Sequence, residues 1–214
     1  NTPSAPSDSV AEFSLALILN SIKQINLMDT EIRRKKWIKL QGKMINDLNI
    51  GIVGTGNIGS KLIKLLSFLK PKKILAYDKI KKIDLIKNFN VNYVSKKDLL
   101  QNSDLISLHL SSNQKTKKFI SEKEFKLMKK SAILINTSRG DIIDEKKLES
   151  ALKRKIIGFA ALDAFEKEPY TGCMINLENC LITSHSSSFT ESARKMMEIH
   201  ATKNIIRFCM KIRN

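Results

Sequence analysis

The stretch that decides the fold is Leu48-Asn-Ile-Gly-Ile-Val-Gly54-Thr-Gly56-Asn-Ile-Gly59. Its first six residues form a mostly apolar run typical of a buried strand, and glycines at the spacing Gly-x-Gly-x-x-Gly follow directly. Apolar residues at helical spacing come next, so a strand, a glycine loop and a helix succeed one another. In this order Gly54 allows a tight turn, Gly56 lets backbone amides approach a pyrophosphate, and Gly59 lets the helix pack closely on the sheet. The sequence therefore predicts a dinucleotide-binding unit.

Asp78, which lies 19 residues beyond Gly59, supports the same interpretation. An acid at the end of the second strand accepts hydrogen bonds from the ribose hydroxyls of adenosine and repels a 2′-phosphate. We therefore expect NAD rather than NADP as the cofactor, although Lys79, Lys81 and Lys82 lie close by. The alternative is a glycine-rich strand-to-helix turn followed by a surface aspartate.

Short apolar runs alternate with helical patterns along the rest of the chain. The predicted strands are 48–53, 74–77, 105–110, 132–135, 156–162 and 180–183. The predicted helices between them are 57–70, 95–101, 121–130 and 144–155. Continuous apolar strands alternating with helices indicate a parallel sheet covered on both faces. The predicted fold class is α/β, a Rossmann-type doubly wound parallel sheet, and longer helices reaching about Met28 and covering 190–213 flank it.

The composition is that of a globular protein. The chain has 214 residues, 42% of them hydrophobic, and 38 Lys+Arg against 21 Asp+Glu give a formal net charge of +17. Lysine pairs are scattered and aromatic residues make up only 6%, so the charge indicates a solvated basic surface rather than a nucleic-acid interface.

The most apolar run is too short and too interrupted to span a membrane. Cys173, Cys180 and Cys209 indicate neither a disulfide framework nor a metal site, and favour the reducing cytoplasm.

Polar residues follow the later predicted strands. Arg139 comes after the fourth strand, Asp163 and Glu168 after the fifth, and His185 after the sixth. The carboxyl ends of parallel strands lie at one edge of the sheet, where Rossmann ligands bind, so these side chains are expected to converge. The alternatives are a surface arginine, a structural acid at a strand end, a solvated loop carboxylate and an exposed or helix-capping histidine. His109, at the end of the third strand, is expected to be structural.

Longer motifs resemble the D-isomer-specific 2-hydroxyacid dehydrogenases. Beyond the glycine loop they are Asp104-Leu-Ile-Ser-Leu-His109, the run 127–145, Ala161-Leu-Asp-Ala-Phe-Glu-Lys-Glu-Pro169 and Thr183-Ser-His185. The run 168–204 looks most like the phosphoglycerate-dehydrogenase-like branch of that family. The resemblance covers essentially the whole chain, and its motifs are far more specific than the glycine loop alone.

The resemblance implies a catalytic trio and a set of cofactor contacts. Arg139 would hold the substrate carboxylate and carbonyl oxygen, His185 would be the general acid and base, and Glu168 would orient that imidazole and favour its protonated form. The implied reaction is reversible hydride transfer between a D-2-hydroxyacid and NAD, giving the 2-keto acid. Asp163 would lie near the nicotinamide amide. The implied cofactor contacts are Gly54, Gly56, Asn57, Ile58, Gly59, Asp78, Thr137, Ser138, Arg139, Asp163, His185 and Ser188.

The chain is shorter than whole members of this family. It begins with Asn1 near the family's first crossover helix, so we expect part of a longer chain from which the N-terminal substrate domain is missing. The implied segments are a crossover and dimerisation helix in 1–30, an NAD-binding Rossmann domain in 31–189 and a C-terminal crossover helix in 190–214. A homodimer is expected, because family members join through their nucleotide domains and the first helix has a broad apolar face. Nucleic-acid, membrane and metal partners are not expected.

One departure from the family leaves a second function open. Ser186, Ser187 and Ser188 stand where the family commonly has a glycine-containing turn, and this exchange is expected either to alter the backbone φ or to crowd the nicotinamide ring. A non-catalytic NAD(H)-sensing protein is therefore the alternative to an enzyme. Within the enzyme class, a glyoxylate or hydroxypyruvate reductase is the alternative. The catalytic trio as a set favours an enzyme, because a sensor needs no proton-transfer pair.

Overall fold

A seven-stranded parallel sheet forms the centre of the structure. The computed structural model describes residues 6–212, with side chains to residue 206, so the outer ends of the predicted segments 1–30 and 190–214 and the side chain of Cys209 lie outside the described residues. The strands are β1 (Asn49–Val53), β2 (Lys73–Tyr77), β3 (Val91–Tyr93), β4 (Leu105–Leu108), β5 (Ile133–Asn136), β6 (Phe159–Leu162) and β7 (Cys180–Ile182). Their order is β3-β2-β1-β4-β5-β6-β7, with every pair parallel. This confirms the predicted Rossmann-type α/β fold.

Helices cover both faces of this sheet. Those in the described part of the chain are α1 (Ser7–Lys23), α2 (Ile25–Arg33), α3 (Asn57–Phe68), α4 (Ile83–Phe89), α5 (Lys96–Asn102), α6 (Glu122–Leu127), α7 (Glu145–Lys153) and α8 (Glu191–Ile212). Successive residues of a strand point to opposite faces, so Ile106 packs in one core with α5, α6 and α7, while Leu105 packs in the other with α1, α3 and α4. Two buried cores therefore hold the sheet rigid beneath its carboxyl edge.

Side chains cap the starts of the short helices. Ser121 and Glu124 form a capping box at α6. The Asp144 carboxylate accepts the Lys147 N–H at the start of α7, and the Ser95 hydroxyl accepts the Asp98 N–H at α5. These bonds satisfy first-turn amides that otherwise have no partner within the helix.

The N-terminal helix differs from the prediction of one helix to about Met28. It is broken at Gln24, whose φ of 56° lies in the left-handed region, and α2 then continues to Arg33. The Asn20 side-chain oxygen accepts the Asn26 N–H across the break, which stabilises the change of direction. The α1 face expected to be broadly exposed is instead covered by its own domain, because Leu17 and Ile18 are buried against the rest of the fold.

The last helix packs little on the sheet. Of its described side chains only Ala193 is buried, while Ile199, Ile205 and Ile206 are exposed. Exposed apolar side chains also lie in α2 and the following coil, where 83% of Trp37 is accessible. Within residues 6–212 we find no helix with the length and apolar character needed to cross a bilayer.

Candidate active site

The predicted site residues lie along the carboxyl edge of the sheet. Asp78 follows β2, the glycine loop follows β1, Arg139 follows β5, Glu168 follows β6 and His185 follows β7. All these strands are parallel members of one sheet, so the residues share the edge at which Rossmann ligands bind. The fold therefore supports the predicted convergence.

The three glycines have the geometry that their spacing predicts. Gly54 has φ +92°, a conformation that strongly favours glycine, and a Cβ on Gly59 would lie 2.0 Å from the Gly54 carbonyl oxygen. A Cβ on Gly56 would meet nothing within 4 Å, so open space adjoins the start of α3. No side chain of the described residues caps this helix, which leaves its first-turn N–H groups and positive dipole end for an anion. These residues fit the pyrophosphate of a dinucleotide.

Asp78 is held in place by the glycine loop. Its carboxylate accepts the Thr55 N–H at 2.6 Å, the Thr55 hydroxyl at 3.1 Å and the Ile80 N–H at 3.3 Å. Burial alone would raise its pKa, but these hydrogen bonds outweigh burial and keep the pKa below the ordinary 3.8. Asp78 is therefore a charged acceptor at neutral pH. The Tyr93 hydroxyl donates to the Thr55 hydroxyl at 3.0 Å, a support that the sequence did not reveal.

Arg139 is carried by a short turn, residues 136–140, which we call the arginine loop. The Asn136 side chain accepts the Ser138 N–H at 3.0 Å and donates to the Arg139 carbonyl at 2.9 Å. A Cβ on Gly140 would lie 1.9 Å from the carbonyl carbon of Phe165, so Gly140 allows this loop to pack against the one that follows β6. The role of Asn136 was not predicted from the sequence, because it depends on hydrogen bonds within the turn.

His185 and Glu168 form a hydrogen-bonded pair. The His185 Nδ1 lies 3.0 and 2.9 Å from the two carboxylate oxygens of Glu168, and one of these oxygens also accepts the Phe165 N–H at 3.0 Å. Burial alone would raise the Glu168 pKa, but these hydrogen bonds and the charge of Arg139 bring it below its ordinary 4.5. Glu168 thus occupies Nδ1 of the ring and leaves Nε2 for proton transfer.

Asp163 lies beneath the turn of residues 183–188, which we call the histidine loop. The residue is 0% exposed, and its carboxylate accepts the Thr183 hydroxyl at 2.6 Å and the N–H groups of Ser186 and Ser187 at 2.9 Å. These donors flank His185 on both sides. Asp163 thus supports the loop from below, and its contact with a nicotinamide amide stays a prediction.

The serine-for-glycine exchange in the histidine loop places none of the three serines in the left-handed region. Within the described residues the positive φ of this loop belongs to His185, at 53°, and not to Ser186, Ser187 or Ser188. The loop therefore places its left-handed residue at the histidine itself. Ser187 is buried and Ser188 is half-buried.

His109 lies at the end of β4. Its Nε2 is 2.9 Å from the Ser107 hydroxyl oxygen, while its buried Nδ1 has no hydrogen-bond partner in the described part of the chain. Burial lowers its pKa from 6.5 to about 4, so the ring is neutral at neutral pH. This agrees with a structural role. In residues 6–206 no group of three or more His, Cys, Asp or Glu side chains is placed to hold a metal ion.

A cavity of about 920 Å³ adjoins the Glu168–His185 pair. Glu168 and His185 form part of its wall, and the aromatic rings of Phe165 and Tyr170, stacked 4.2 Å apart, contribute to it together with Phe13 of α1. No lysine or arginine occurs among the described residues that line it. The space beside His185 is therefore largely apolar.

Comparisons with known proteins show what this chain is similar to. The sequence profile described as D-isomer specific 2-hydroxyacid dehydrogenase, NAD binding domain, matches residues 15–187. A glyoxylate reductase from Thermococcus litoralis is 37% identical over 218 residues, covering 97% of this chain and 66% of the relative. A D-3-phosphoglycerate dehydrogenase from Methanocaldococcus jannaschii is 34% identical over 204 residues, covering 91% of this chain and 38% of the relative.

A solved structure shares the whole described fold. D-lactate dehydrogenase from Aquifex aeolicus, complexed with NAD and lactic acid, superposes with a TM-score of 0.90 at 28% identity, covering 98% of this chain and 68% of that one. The present chain spans 65% of the length of a 34% identical glyoxylate reductase from Korarchaeum cryptofilum. With a family profile matched over most of its length, the chain belongs to the D-isomer-specific 2-hydroxyacid dehydrogenases and comprises their NAD-binding domain.

Proposed function

We propose that this chain is the cofactor-binding part of an NAD-dependent dehydrogenase that interconverts a D-2-hydroxyacid and its 2-keto acid. The observation that supports this most is the Glu168–His185 pair, whose Nδ1 is held by both carboxylate oxygens on the same sheet edge as the glycine loop. A protein that only senses NAD needs no such proton-transfer pair.

The residues of the site divide the reaction between them. Bound NADH supplies the hydride that adds to C2 of the keto acid. Arg139 holds the substrate carboxylate, because its planar guanidinium matches two oxygens. His185 gives a proton from Nε2 to the carbonyl oxygen, and Glu168 at Nδ1 keeps the ring oriented and stabilises its charged form. In the oxidative direction His185 takes the hydroxyl proton.

The cofactor is proposed to lie along the carboxyl edge in the order of the strands. The adenosine ribose would contact Asp78, and the glycine loop with Asn57 and Ile58 would hold the pyrophosphate. The nicotinamide end would reach the arginine and histidine loops. The contacts proposed there are Thr137, Ser138, Arg139, Asp163, His185 and Ser188. The charged Asp78 favours NAD, because a 2′-phosphate beside it would be repelled.

A glyoxylate or hydroxypyruvate reductase is the second candidate within this class. The wall beside His185 is rich in Phe and Tyr and, as far as its lining is described, carries no cation. A phosphorylated substrate would need a cationic partner from elsewhere, whereas a small keto acid needs only Arg139. The glyoxylate reductases among the relatives agree with this candidate.

The chain is proposed to work as part of a larger assembly. The exposed Ile199, Ile205 and Ile206 of α8 are suited to packing on a second domain, and exposed Ile32 and Trp37 are suited to a homodimer contact. A cytoplasmic location agrees with the free thiols of Cys173 and Cys180. Sedimentation at micromolar concentration tests the dimer, and a purely monomeric protein would contradict it.

The proposed reaction is tested on the native protein, including any upstream segment. NADH oxidation is followed with glyoxylate, hydroxypyruvate and pyruvate for the wild type, His185→Ala and the control His200→Ala on α8. We expect His185→Ala to lose at least about 100-fold in turnover while still binding NADH, and His200→Ala to keep its activity. NADH binding without turnover of any keto acid would favour the sensor, and absence of NADH binding would overturn both functions.

A further inference from the structure

We propose that Ser9 and Ser14 of α1 are positioning residues that hold the histidine loop and the arginine loop at a fixed separation. The inference rests on the proposed function of His185 and Arg139, but neither serine belongs to that site. Ser9 donates one buried hydrogen bond to the histidine loop, and Ser14 accepts one from the arginine loop. One helix thus contacts both catalytic loops.

Ser9 fastens the histidine loop. Its hydroxyl donates to the Ser187 carbonyl at 2.7 Å, and both residues are buried. The Ser187 N–H donates in turn to Asp163 at 2.9 Å, so this residue is held from two sides. It lies two positions after His185, whose left-handed φ of 53° is unfavourable for a residue with a side chain. A backbone in that region persists when the surrounding contacts hold it, and Ser9 supplies one of them.

Ser14 fastens the arginine loop. Its hydroxyl oxygen lies 2.8 Å from the Thr137 hydroxyl oxygen, and the two residues are 0% and 4% exposed. A hydroxyl has one proton, and Ser14 gives its own to the Val10 carbonyl at 2.7 Å. Thr137 is therefore the donor in the pair, which fixes its rotamer two residues before Arg139.

The two strands that precede these loops are not paired with each other, so strand pairing does not directly set the distance between the loops. The arginine loop follows β5 and the histidine loop follows β7, and β6 lies between them. Ser9 and Ser14 are five positions apart on one continuous helix, a rise of about 7.5 Å at 1.5 Å per residue. The helix is itself anchored by buried Leu17 and Ile18, so it acts as a rigid spacer between the loops.

Ser21 provides a matched control on the same helix. It is 3% exposed, and its hydroxyl donates to the Leu17 carbonyl at 2.7 Å, as Ser14 does to Val10. Within the described residues it makes no hydrogen bond to either catalytic loop. Ser21→Ala therefore removes the same kind of hydroxyl-to-carbonyl hydrogen bond within the helix and leaves the contacts to the loops in place.

The test compares Ser9→Ala, Ser14→Ala and Ser21→Ala in the native protein. Imidazole NMR signals, with those of His185 assigned by His185→Gln, report on the histidine loop. We expect Ser9→Ala to shift or broaden the His185 signals, Ser9→Thr to restore them, and Ser21→Ala to leave them unchanged. Ser14→Ala should weaken NADH binding about three- to tenfold, as expected for one lost buried hydrogen bond, while Ser21→Ala stays within about twofold. Unfolding midpoints are measured in parallel to check that each of the three variants folds.

The outcomes separate this inference from the proposed function. If Ser9→Ala and Ser14→Ala behave like Ser21→Ala in both measurements, the positioning role is wrong. If the wild type fails to bind NADH, the proposed function is wrong, while the His185 signals still decide the role of Ser9. In an active protein, Ser14→Ala should raise the KM for the keto acid, because the arginine loop is proposed to hold the substrate. Ser9→Ala should lower kcat, because the histidine loop is proposed to transfer the proton.

Discussion

The Nδ1 atom of His185 lies at 3.0 and 2.9 Å from the two carboxylate oxygens of Glu168, so the imidazole is held by both at once. The two residues follow different strands, β6 and β7, and the pair joins their loops above the sheet edge. The Phe165 N–H fixes one of the same oxygens, so the carboxylate cannot easily follow a rotation of the ring. The consequence is a ring with one defined nitrogen, Nε2, free for chemistry.

Replacing this carboxylate should affect turnover and not cofactor binding. Glu168→Gln keeps the size of the side chain but removes the charge that stabilises the imidazolium, so we expect turnover to fall about 10- to 100-fold. NADH affinity should stay within about twofold, because the pair is proposed to act on the substrate. Glu166→Gln, an exposed acid in the same loop, is the control. Steady-state kinetics with NADH and glyoxylate check this, and undiminished turnover would contradict the role of Glu168.

Asp78 should determine the preference between the two nicotinamide cofactors. Asp78→Asn removes a charged acceptor for the ribose hydroxyls and also the repulsion of a 2′-phosphate. We expect NADH binding to weaken about tenfold and NADPH binding to weaken less, or to improve. Asp84→Asn, on α4 nearby, removes the same charge without the contacts to the glycine loop. Calorimetric titration measures both cofactors, and a larger loss for NADPH than for NADH would overturn the ribose assignment.

Substitutions at two positions of the glycine loop should have different effects, one on NADH binding and the other on the stability of the fold. A Cβ on Gly56 meets no atom within 4 Å, so Gly56→Ala should leave the free energy of unfolding within about 0.5 kcal/mol and weaken NADH binding by at least about tenfold. A Cβ on Gly59 would lie 2.0 Å from the Gly54 carbonyl oxygen, so Gly59→Ala should destabilise the fold by about 1 to 3 kcal/mol. Urea unfolding and NADH titration of both variants check this. Equal NADH affinity for Gly56→Ala and wild type would show that the open space is not the pyrophosphate site.

Most of the sheet could be predicted from sequence because its strands are continuous apolar runs bounded by turns. The strand β3 and the helix α4 were missed, because β3 is Val-Asn-Tyr rather than a continuous apolar run and α4 follows Lys82 rather than a capping residue. The break at Gln24 was also missed, because glutamine has no marked preference for the left-handed region and the apolar pattern continues through it. Local pattern thus predicts capped helices and continuous apolar strands well, and it predicts uncapped or partly polar elements and interruptions poorly.

In the candidate site, too, roles that depend on nearby residues could be predicted from the sequence, and roles that depend on residues far apart in sequence could not. The roles of the three glycines follow from spacing alone, because each concerns the chain within a few residues. The burial of Asp163 does not, since it depends on the histidine loop returning over the end of β6. The contributions of Ser9 and Ser14 depend on contacts across 178 and 123 positions of sequence, which no local pattern reports.

His109 should make the stability of the protein depend on pH. Its pKa falls from 6.5 to about 4 on burial, so between these values the unfolded chain binds a proton that the folded protein does not. The free energy of unfolding is therefore unaffected by this group above the unfolded pKa and decreases as the pH falls from about 6.5 towards about 4. Between about pH 7.5 and about pH 5 we expect this residue alone to lower the free energy of unfolding by about 1 to 2 kcal/mol.

The control for this dependence is His109→Gln, which retains a polar group next to Ser107 but cannot titrate. Urea unfolding of both proteins across the pH range isolates the histidine, because all carboxylates contribute equally to the two curves. The wild type should lose about 1 to 2 kcal/mol more than His109→Gln on acidification. Parallel pH curves would mean that the ring takes up its proton in the folded protein, and hence that water or another acceptor reaches its Nδ1.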